Sequence, residues 1–140
     1  MNIHTPSDSV LAKHSFSVPI TAASTNGLVI DTQGYEKAFA VFYANPSGGG
    51  TTADCKLQDG LLSNGSDQAD VASAVFAQIT TAGGAKLETM NINLSKRKRY
   101  MRLVFTGAGG AAAGQAYGTI YLFNPRYAPV AQDNNPVNVL

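Results

Sequence analysis

The chain has 140 residues, of which 44% are hydrophobic and only 14% are charged, and its formal net charge is +1. This length suits a single domain that buries about two-thirds of its unfolded surface without needing a disulfide. So small a net charge gives no reason to expect general binding to nucleic acid or to a membrane surface. One cysteine and two histidines exclude a disulfide framework, a multi-cysteine zinc site and a three-histidine metal site.

Residues 1–12 are polar and aperiodic, and we expect them to form an N-terminal arm. The chain opens without a basic region followed by an apolar run, which argues against a secretory signal. It also lacks the run of about 18 apolar residues that a membrane-spanning helix needs. We therefore expect synthesis in the cytoplasm and no membrane partner.

The first half of the chain contains three segments that resemble strands. Residues 15–20 alternate apolar and polar side chains, and Pro19 indicates an edge strand or a strand end. Residues 28–30 form a short apolar run after an Asn-Gly turn signal. The run at 35–43 has large apolar residues on both parities, which predicts a central strand buried on both faces.

Five more segments follow a period-2 pattern between glycine-rich turns, and one of them is ambiguous. Residues 71–79 have enough alanine for a short helix, but the alternation of Val75, Ala77 and Ile79 favours a strand. The inward parity of Cys55 predicts a buried, inert thiol. The five segments are residues 53–57, 71–79, 87–94, 99–105 and 116–123.

About eight short strands separated by glycine-rich turns are typical of a sandwich or barrel. The sequence therefore predicts an all-β, jelly-roll-like β-sandwich of about eight antiparallel strands over residues 13–123. Residues 124–140 contain three prolines and no period, and we expect them to form a C-terminal arm. Because small side chains leave little area to bury, we also expect an oligomer to which both arms contribute contacts.

Charge is unevenly distributed along the chain. The first 70 residues hold three lysines against seven acids, and the last 70 hold seven basic residues against two acids. This asymmetry suits pairing either within the fold or between identical subunits. The basic segment, residues 96–102, is either a solvated turn or a contact with an acidic surface. Arg99 shares the inward parity of Met101, so we expect it to need a buried carboxylate. The candidate partner or subunit interface comprises Lys96, Arg97, Lys98, Arg102, Arg126, Tyr127, Pro129 and Val130.

No motif in the chain carries recognisable catalytic or cofactor chemistry. The glycine-rich loops lack a phosphate-binding sequence and a following helix. Asp59, Asp67 and Asp70 are a weak calcium candidate, because their spacing does not match a known calcium loop. A catalytic triad would need His4 or His14, near the N-terminus. We therefore predict no enzyme activity, no cofactor and no bound metal.

Three parts of the chain carry a family resemblance: Gly-Tyr-Glu-Lys-Ala at 34–38, Ala-Asp-Cys-Lys-Leu-Gln-Asp-Gly at 53–60, and Lys-Arg-Tyr-Met-Arg at 98–102 followed by Asn-Pro-Arg-Tyr-Ala-Pro-Val at 124–130. In this order the chain resembles the head decoration, or cement, proteins of tailed bacteriophages. The resemblance implies a virion protein on the capsid exterior, often a homotrimer. It also implies that the protein bridges subunits of the major capsid protein and stabilises the expanded lattice, without catalytic residues.

Three other functions remain open from the sequence. A carbohydrate-binding jelly-roll module would present solvent-facing aromatic side chains in a row, although the absence of tryptophan argues against it. An enzyme of cupin type is disfavoured because both histidines lie near the N-terminus. A tail or neck protein of the same virion would differ from a head protein in its copy number per particle.

Overall fold

The computed structural model describes residues 9–126 and contains ten β-strands in two sheets, with short 3-10 turns at Thr81–Gly83 and Leu94–Lys96. Every strand pair is antiparallel. The strands are β1 Val10–Pro19, β2 Ser24–Asn26, β3 Ile30–Asp31, β4 Tyr35–Ser47, β5 Thr52–Gly60, β6 Ala69–Val75, β7 Ile79–Thr80, β8 Lys86–Asn93, β9 Tyr100–Ala108 and β10 Ala113–Pro125.

The strand order is that of a jelly roll. Sheet A has the order β1-β10-β4-β8, and sheet B has the order β2-β9-β5-β6. The short strands β3 and β7 extend sheet B, because β3 also pairs with β9 and β7 also pairs with β5. Counting β2 with β3 and β6 with β7 gives four strand positions in each sheet. The predicted all-β, jelly-roll-like sandwich of about eight antiparallel strands is thus confirmed.

The core lies between the two sheets and centres on phenylalanine rings. The ring centroid of Phe42 on β4 lies 6.4 Å from that of Phe16, 5.6 Å from that of Phe76 and 6.3 Å from that of Phe105. Phe42 is fully buried. Each such ring contributes about 1.5–3 kcal/mol through removal of apolar surface from water. These contacts join both sheets into one core.

Small residues on the inner face of sheet A make room for these rings. The inward positions of β4 next to Phe42 are the fully buried Ala40 and Ala44. On β10, a Cβ at Gly118 would overlap the ring of Phe16, so only glycine fits there without a shift of that ring. The abundance of alanine and glycine therefore serves close packing of sheet A on large side chains.

Several predicted strands appear with the expected orientation. Pro19 ends β1, which is an edge strand of sheet A. Residues 53–57 lie in β5 with Cys55 buried, and residues 99–105 lie largely in β9. The ambiguous segment 71–79 contains no helix: residues 71–75 lie in β6, Ile79 begins β7, and residues 76–78 connect the two strands.

Three local predictions are wrong. The segment 35–43 is central in sheet A, but only one of its faces is buried, because the side chains at Phe39, Val41 and Tyr43 face outward. Only Ile30 of the segment 28–30 belongs to a strand, and Leu28 is exposed. The alternation predicted from Val75 does not continue, since β6 ends there and the buried Phe76 follows.

The sandwich begins and ends slightly outside its predicted bounds. Strand β1 starts at Val10, within the predicted N-terminal arm of residues 1–12, and β10 ends at Pro125, within the predicted C-terminal arm of residues 124–140. Residues 1–8 and 127–140 lie outside the described part of the chain, so the arms themselves remain predictions.

Candidate functional site

The first part of the basic segment is partly neutralised within the fold. Arg97 Nη1 lies 3.6 Å from Asp59 Oδ2, and Asp59 is only 7% exposed. The same carboxylate oxygen accepts a hydrogen bond from the Lys98 backbone N–H at 3.2 Å. Lys96, at the end of a 3-10 turn, and Lys98 are exposed, and neither side chain forms an ion pair with residues 9–126. Two of the five basic side chains in this segment, those of Lys96 and Lys98, are therefore available to an external partner.

Arg99 has the carboxylate partner that the sequence analysis expected, but the pair is exposed rather than buried. Its Nε and Nη2 donate to Asp31 Oδ1 and Oδ2 at 2.9 and 2.7 Å. Its guanidinium also lies 5.0 Å from the centre of the Tyr100 ring. The hydrogen bonds from Arg99 lower the pKa of Asp31 below its ordinary value. This bidentate contact pairs the two oppositely charged halves of the chain within one subunit.

Arg102 belongs to a hydrogen-bonded row on the outer face of sheet B. Its Nε donates to Gln58 Oε1 at 2.8 Å, and Gln58 Nε2 donates to Asp70 Oδ1 at 2.7 Å. Lys56 Nζ donates to the other oxygen of Asp70 at 2.7 Å. The hydrogen bond from Lys56, together with that from Gln58, lowers the pKa of Asp70. Arg102 is thus held by its own sheet.

Arg126 lies at the end of β10, apart from Arg102. Its backbone N–H donates to the Gly34 carbonyl at 2.8 Å. It lines a surface depression together with Lys37 and with Leu94 and Ser95 of the turn that ends at Lys96. The structure therefore brings Arg126 to the same corner of the sandwich as Lys37 and this turn. The other predicted interface residues, Tyr127, Pro129 and Val130, lie outside the described residues.

The three aspartates weighed as a calcium site do not converge. Asp67 accepts from the backbone N–H groups of Leu61 and Leu62 at 2.7 and 3.1 Å, which lowers its pKa. Asp59 and Asp70 serve the ion pairs described above. In residues 9–126, no group of three histidine, cysteine, aspartate or glutamate side chains is placed to hold a metal ion. Burial raises the pKa of the Cys55 thiol, as expected for an inert cysteine.

The outer face of sheet A presents a surface that the sequence analysis did not find. Register places Tyr43 on β4 between Tyr117 on β10 and Leu87 on β8. The ring centroids of Tyr43 and Tyr117 are 5.9 Å apart. Further along, Phe39 lies between Tyr121 and Asn91. The outward side chains that form this aromatic face are Phe39, Val41, Tyr43, Leu87, Tyr117, Tyr121 and Phe123.

The aromatic face is exposed and makes few polar contacts. Leu87 is 59% and Tyr117 43% exposed, and the other members are half-buried. The hydroxyls of Tyr43, Tyr117 and Tyr121 form no hydrogen bond with residues 9–126. These large, outward apolar side chains make the aromatic face a candidate binding surface.

A signal for this face was present in the sequence. In β4 and in β10, every second side chain points outward, and in both strands these outward positions are rich in aromatic residues. In β4 the opposite parity is mainly alanine, which alone does not reveal whether the large or the small side chains face the core. The rings of Phe16, Phe76 and Phe105 fill the space next to the alanines, and this arrangement is visible only in three dimensions.

Within the described residues, no helix combines the length and the apolar character required to cross a membrane. No family model and no curated protein matches the chain.

Solved structures do resemble it. A chain from the cryo-EM structure of broad bean stain virus has a TM-score of 0.50 at 10% identity, and the match covers 100% of this chain and 98% of that one. The SPBc2 prophage-derived protein YomS has a TM-score of 0.46 at 8% identity, over 88% of this chain and 100% of that one. A chain of infectious bursal disease virus strain Gx has a TM-score of 0.47 at 12% identity, over 86% of this chain and 35% of that one.

At 10% identity, the similarity to the broad bean stain virus chain establishes a shared fold. That fold is the antiparallel jelly roll. It agrees with the strand order observed here.

Proposed function

We propose that this chain is a virion structural protein that binds the outer surface of a phage capsid. In this role it cements the expanded head lattice by bridging subunits of the major capsid protein. The observation that carries the proposal is the viral capsid-type jelly roll, which extends over the whole chain in the comparison with broad bean stain virus. The resemblance of residues 34–38, 53–60 and 98–102 to cement proteins supports the finer assignment.

Such a protein acts through binding alone. A ligand that binds the expanded lattice and not its precursor stabilises the expanded state by its binding free energy. Many symmetrically placed copies multiply a modest contact through avidity. The exposed surfaces of the sandwich, together with the two predicted arms, supply the contacts that this role needs.

The direct test mixes the purified protein with undecorated heads of the virus that encodes it, in the expanded and the precursor forms. We expect co-sedimentation with expanded heads and little with precursor heads, and a higher melting temperature of the decorated heads. Failure to bind expanded heads, or equal binding to both forms, would contradict the cementing role.

Lys96, Lys98 and Arg126 are the proposed electrostatic contact with the capsid. We expect the double variant Lys96→Gln/Lys98→Gln to bind heads several-fold more weakly and with a flatter salt dependence. Lys56→Gln is the matched control, because Lys56 is already paired with Asp70. Arg97 is left intact, since its removal would strand the buried Asp59 carboxylate. An unchanged salt profile would assign Lys96 and Lys98 to a solvated turn.

The C-terminal arm is the second proposed contact. We expect deletion of residues 131–140 to leave the sandwich folded, because strands β1 to β10 all lie before this segment. The deletion should weaken oligomerisation or head binding. Circular dichroism verifies the fold, light scattering measures oligomerisation, and co-sedimentation measures head binding. Unchanged mass and unchanged binding would refute the arm contact.

The proposed assembly is a homotrimer. Light scattering on a size-exclusion column should then give three times the chain mass of 14.6 kDa. A stable trimer would favour seating at three-fold or quasi-three-fold positions of the lattice. A monomer at all accessible concentrations would contradict the trimer.

A carbohydrate-binding module is the second candidate function. The outward tyrosines Tyr43, Tyr117 and Tyr121 favour it, because exposed aromatic rings stack on sugars. A glycan array with the wild type and the variant Tyr117→Ser tests this candidate. Glycan binding that the variant loses would support it, and no binding to any glycan would exclude it for the sugars tested.

A further inference from the structure

We propose that the aromatic face of sheet A is the surface through which copies of this chain associate. This inference rests on the self-association within the proposed function and adds the surface that mediates it. A face that packs on the same face of a second copy is used up after two chains, so this contact predicts pairs of chains, and the mass in solution separates it from the proposed trimer. The occupant of the face is a second copy of the same chain.

The composition of the outer face of sheet A is that of a subunit interface. In the strands of this sheet, the outward positions carry a single formal charge, that of Lys37, which lies between Phe123 and Asn93. Interface centres are depleted in charged residues and enriched in tyrosine and phenylalanine. The apolar side chains lie on three adjacent strands, so they form one continuous surface rather than scattered exposed residues.

The outer face of sheet B serves as an internal reference. There, register places Arg102, Gln58 and Asp70 side by side, and all three are joined by hydrogen bonds. Gln78 Nε2 likewise donates to both oxygens of Asp54 at 3.0 Å. These polar groups are satisfied within the subunit and in contact with water. The two outer faces of one sandwich therefore differ in the way that separates a contact surface from a solvated surface.

The area of sheet A is sufficient for a specific contact between two copies. Four strands spaced by about 4.8 Å, and about eight residues of about 3.3 Å along each strand, give a face of about 19 by 27 Å. Two such faces remove about 1,000 Å² of projected surface from water, which reaches the lower bound for specific interfaces. Side chains corrugate the face, so the accessible area exceeds the projected area. Two sheets also pack well face to face, about 10 Å apart.

The test compares the variants Leu87→Lys and Val75→Lys, which replace two side chains of nearly identical exposure. Leu87 on β8 is 59% exposed and lies on the aromatic face, whereas Val75 on β6 is 60% exposed and lies in sheet B. Light scattering and sedimentation velocity should show a wild-type mass that is a multiple of 14.6 kDa. We expect Leu87→Lys to lower the mass to that of one chain and Val75→Lys to leave it unchanged.

A second variant, Tyr117→Lys, tests the middle of the same face, because β10 is an inner strand of sheet A. Circular dichroism and thermal unfolding verify that all variants fold. The inference is supported if Leu87→Lys and Tyr117→Lys both dissociate into single chains while Val75→Lys keeps the wild-type mass. A monomeric wild type overturns it, as does an oligomer whose mass neither sheet A variant changes.

Head binding separates this inference from the proposed function. Heads that bind neither the wild type nor any variant would contradict the cement role, and an oligomer that Leu87→Lys dissociates would still support the aromatic face as the self-contact. A wild type that is monomeric but binds heads would overturn the self-contact and leave the cement role standing. If Leu87→Lys then lost head binding, the capsid would be the occupant of the face. Loss of glycan binding by the same variant would instead make a sugar the occupant.

Discussion

The two outer faces of this sandwich are built on the same architecture and have opposite surface chemistry. On sheet B, the side chains of Gln58, Asp70 and Arg102 satisfy one another in register. On sheet A, the corresponding positions hold tyrosine, phenylalanine and leucine, and the hydroxyls of Tyr43, Tyr117 and Tyr121 have no hydrogen-bond partner among residues 9–126. The fold alone therefore does not distinguish the two outer faces; the side chains on the outward parity do.

The comparison also clarifies the role of the basic segment. Arg97, Arg99 and Arg102 are held by Asp59, Asp31 and Gln58 on the sheet B side of the molecule. They hold strand β9 and its preceding turn to strands β3 and β5. Most of the positive charge that is prominent in the sequence thus serves intramolecular contacts, and the large uncharged surface is on the other sheet.

The largest effect is expected from the core that both faces share. Phe42→Ala should lower the free energy of unfolding by about 3–5 kcal/mol, because it leaves a cavity among three other phenylalanine rings. The control is Phe39→Ala on the outward parity of the same strand, for which we expect about 1 kcal/mol. Urea unfolding measures the loss in free energy of unfolding for both variants. Both are made in the Leu87→Lys background, so that no second copy covers the aromatic face. Equal losses would mean that Phe39 is as enclosed as Phe42, contrary to its outward position.

A smaller effect should distinguish polar groups on the two faces. Gln58→Leu removes the hydrogen bonds to Arg102 and Asp70, and we expect a loss of about 0.5–1.5 kcal/mol. Thr119→Val is the counterpart on the outer face of sheet A. It should change stability little, because its hydroxyl forms no hydrogen bond with residues 9–126. Urea unfolding measures both. A larger loss for Thr119→Val than for Gln58→Leu would reverse the contrast between the two faces.

The smallest effect is a dependence of stability on acid pH that originates on the sheet B side. Hydrogen bonds lower the folded-state pKa values of Asp31, Asp67 and Asp70 below the ordinary value of 3.8. The unfolded chain therefore binds more protons between the two pKa values. The stabilisation is complete above the unfolded pKa and is lost as the pH falls through the folded pKa.

Calorimetry between about pH 5 and pH 2 measures this decline in melting temperature. The triple variant Asp31→Asn/Asp67→Asn/Asp70→Asn should have a lower melting temperature at neutral pH and a shallower decline toward acid. Glu36→Gln is the control, since this exposed carboxyl forms no hydrogen bond with residues 9–126. A triple variant with the full wild-type decline would place the acid-sensitive groups elsewhere.

The strands that sequence patterns located best are those with one clearly apolar parity. In β9, Met101, Leu103 and Phe105 share one parity, and their burial follows from the pleat. The pattern failed in β4, where both parities are apolar and the larger side chains face outward. It also failed after Val75, because the chain leaves strand β6 there and Phe76 turns into the core. Predicting burial from alternating side chains assumes that the strand is uninterrupted and that the larger side chains face the interior. The first assumption fails after Val75, and the second fails in β4.

The sequence by itself determined the class of the fold, since regular alternation and glycine-rich turns leave few alternatives to an antiparallel sandwich. It also determined that the single thiol is buried and that the aspartates near residues 59–70 lack the spacing of a known calcium loop. Only the tertiary structure decided which cations are free and which outer face is apolar. The physical reason is that ion pairs such as Arg99 with Asp31 join residues 68 positions apart, and the aromatic face is assembled from three strands that are neighbours only through register.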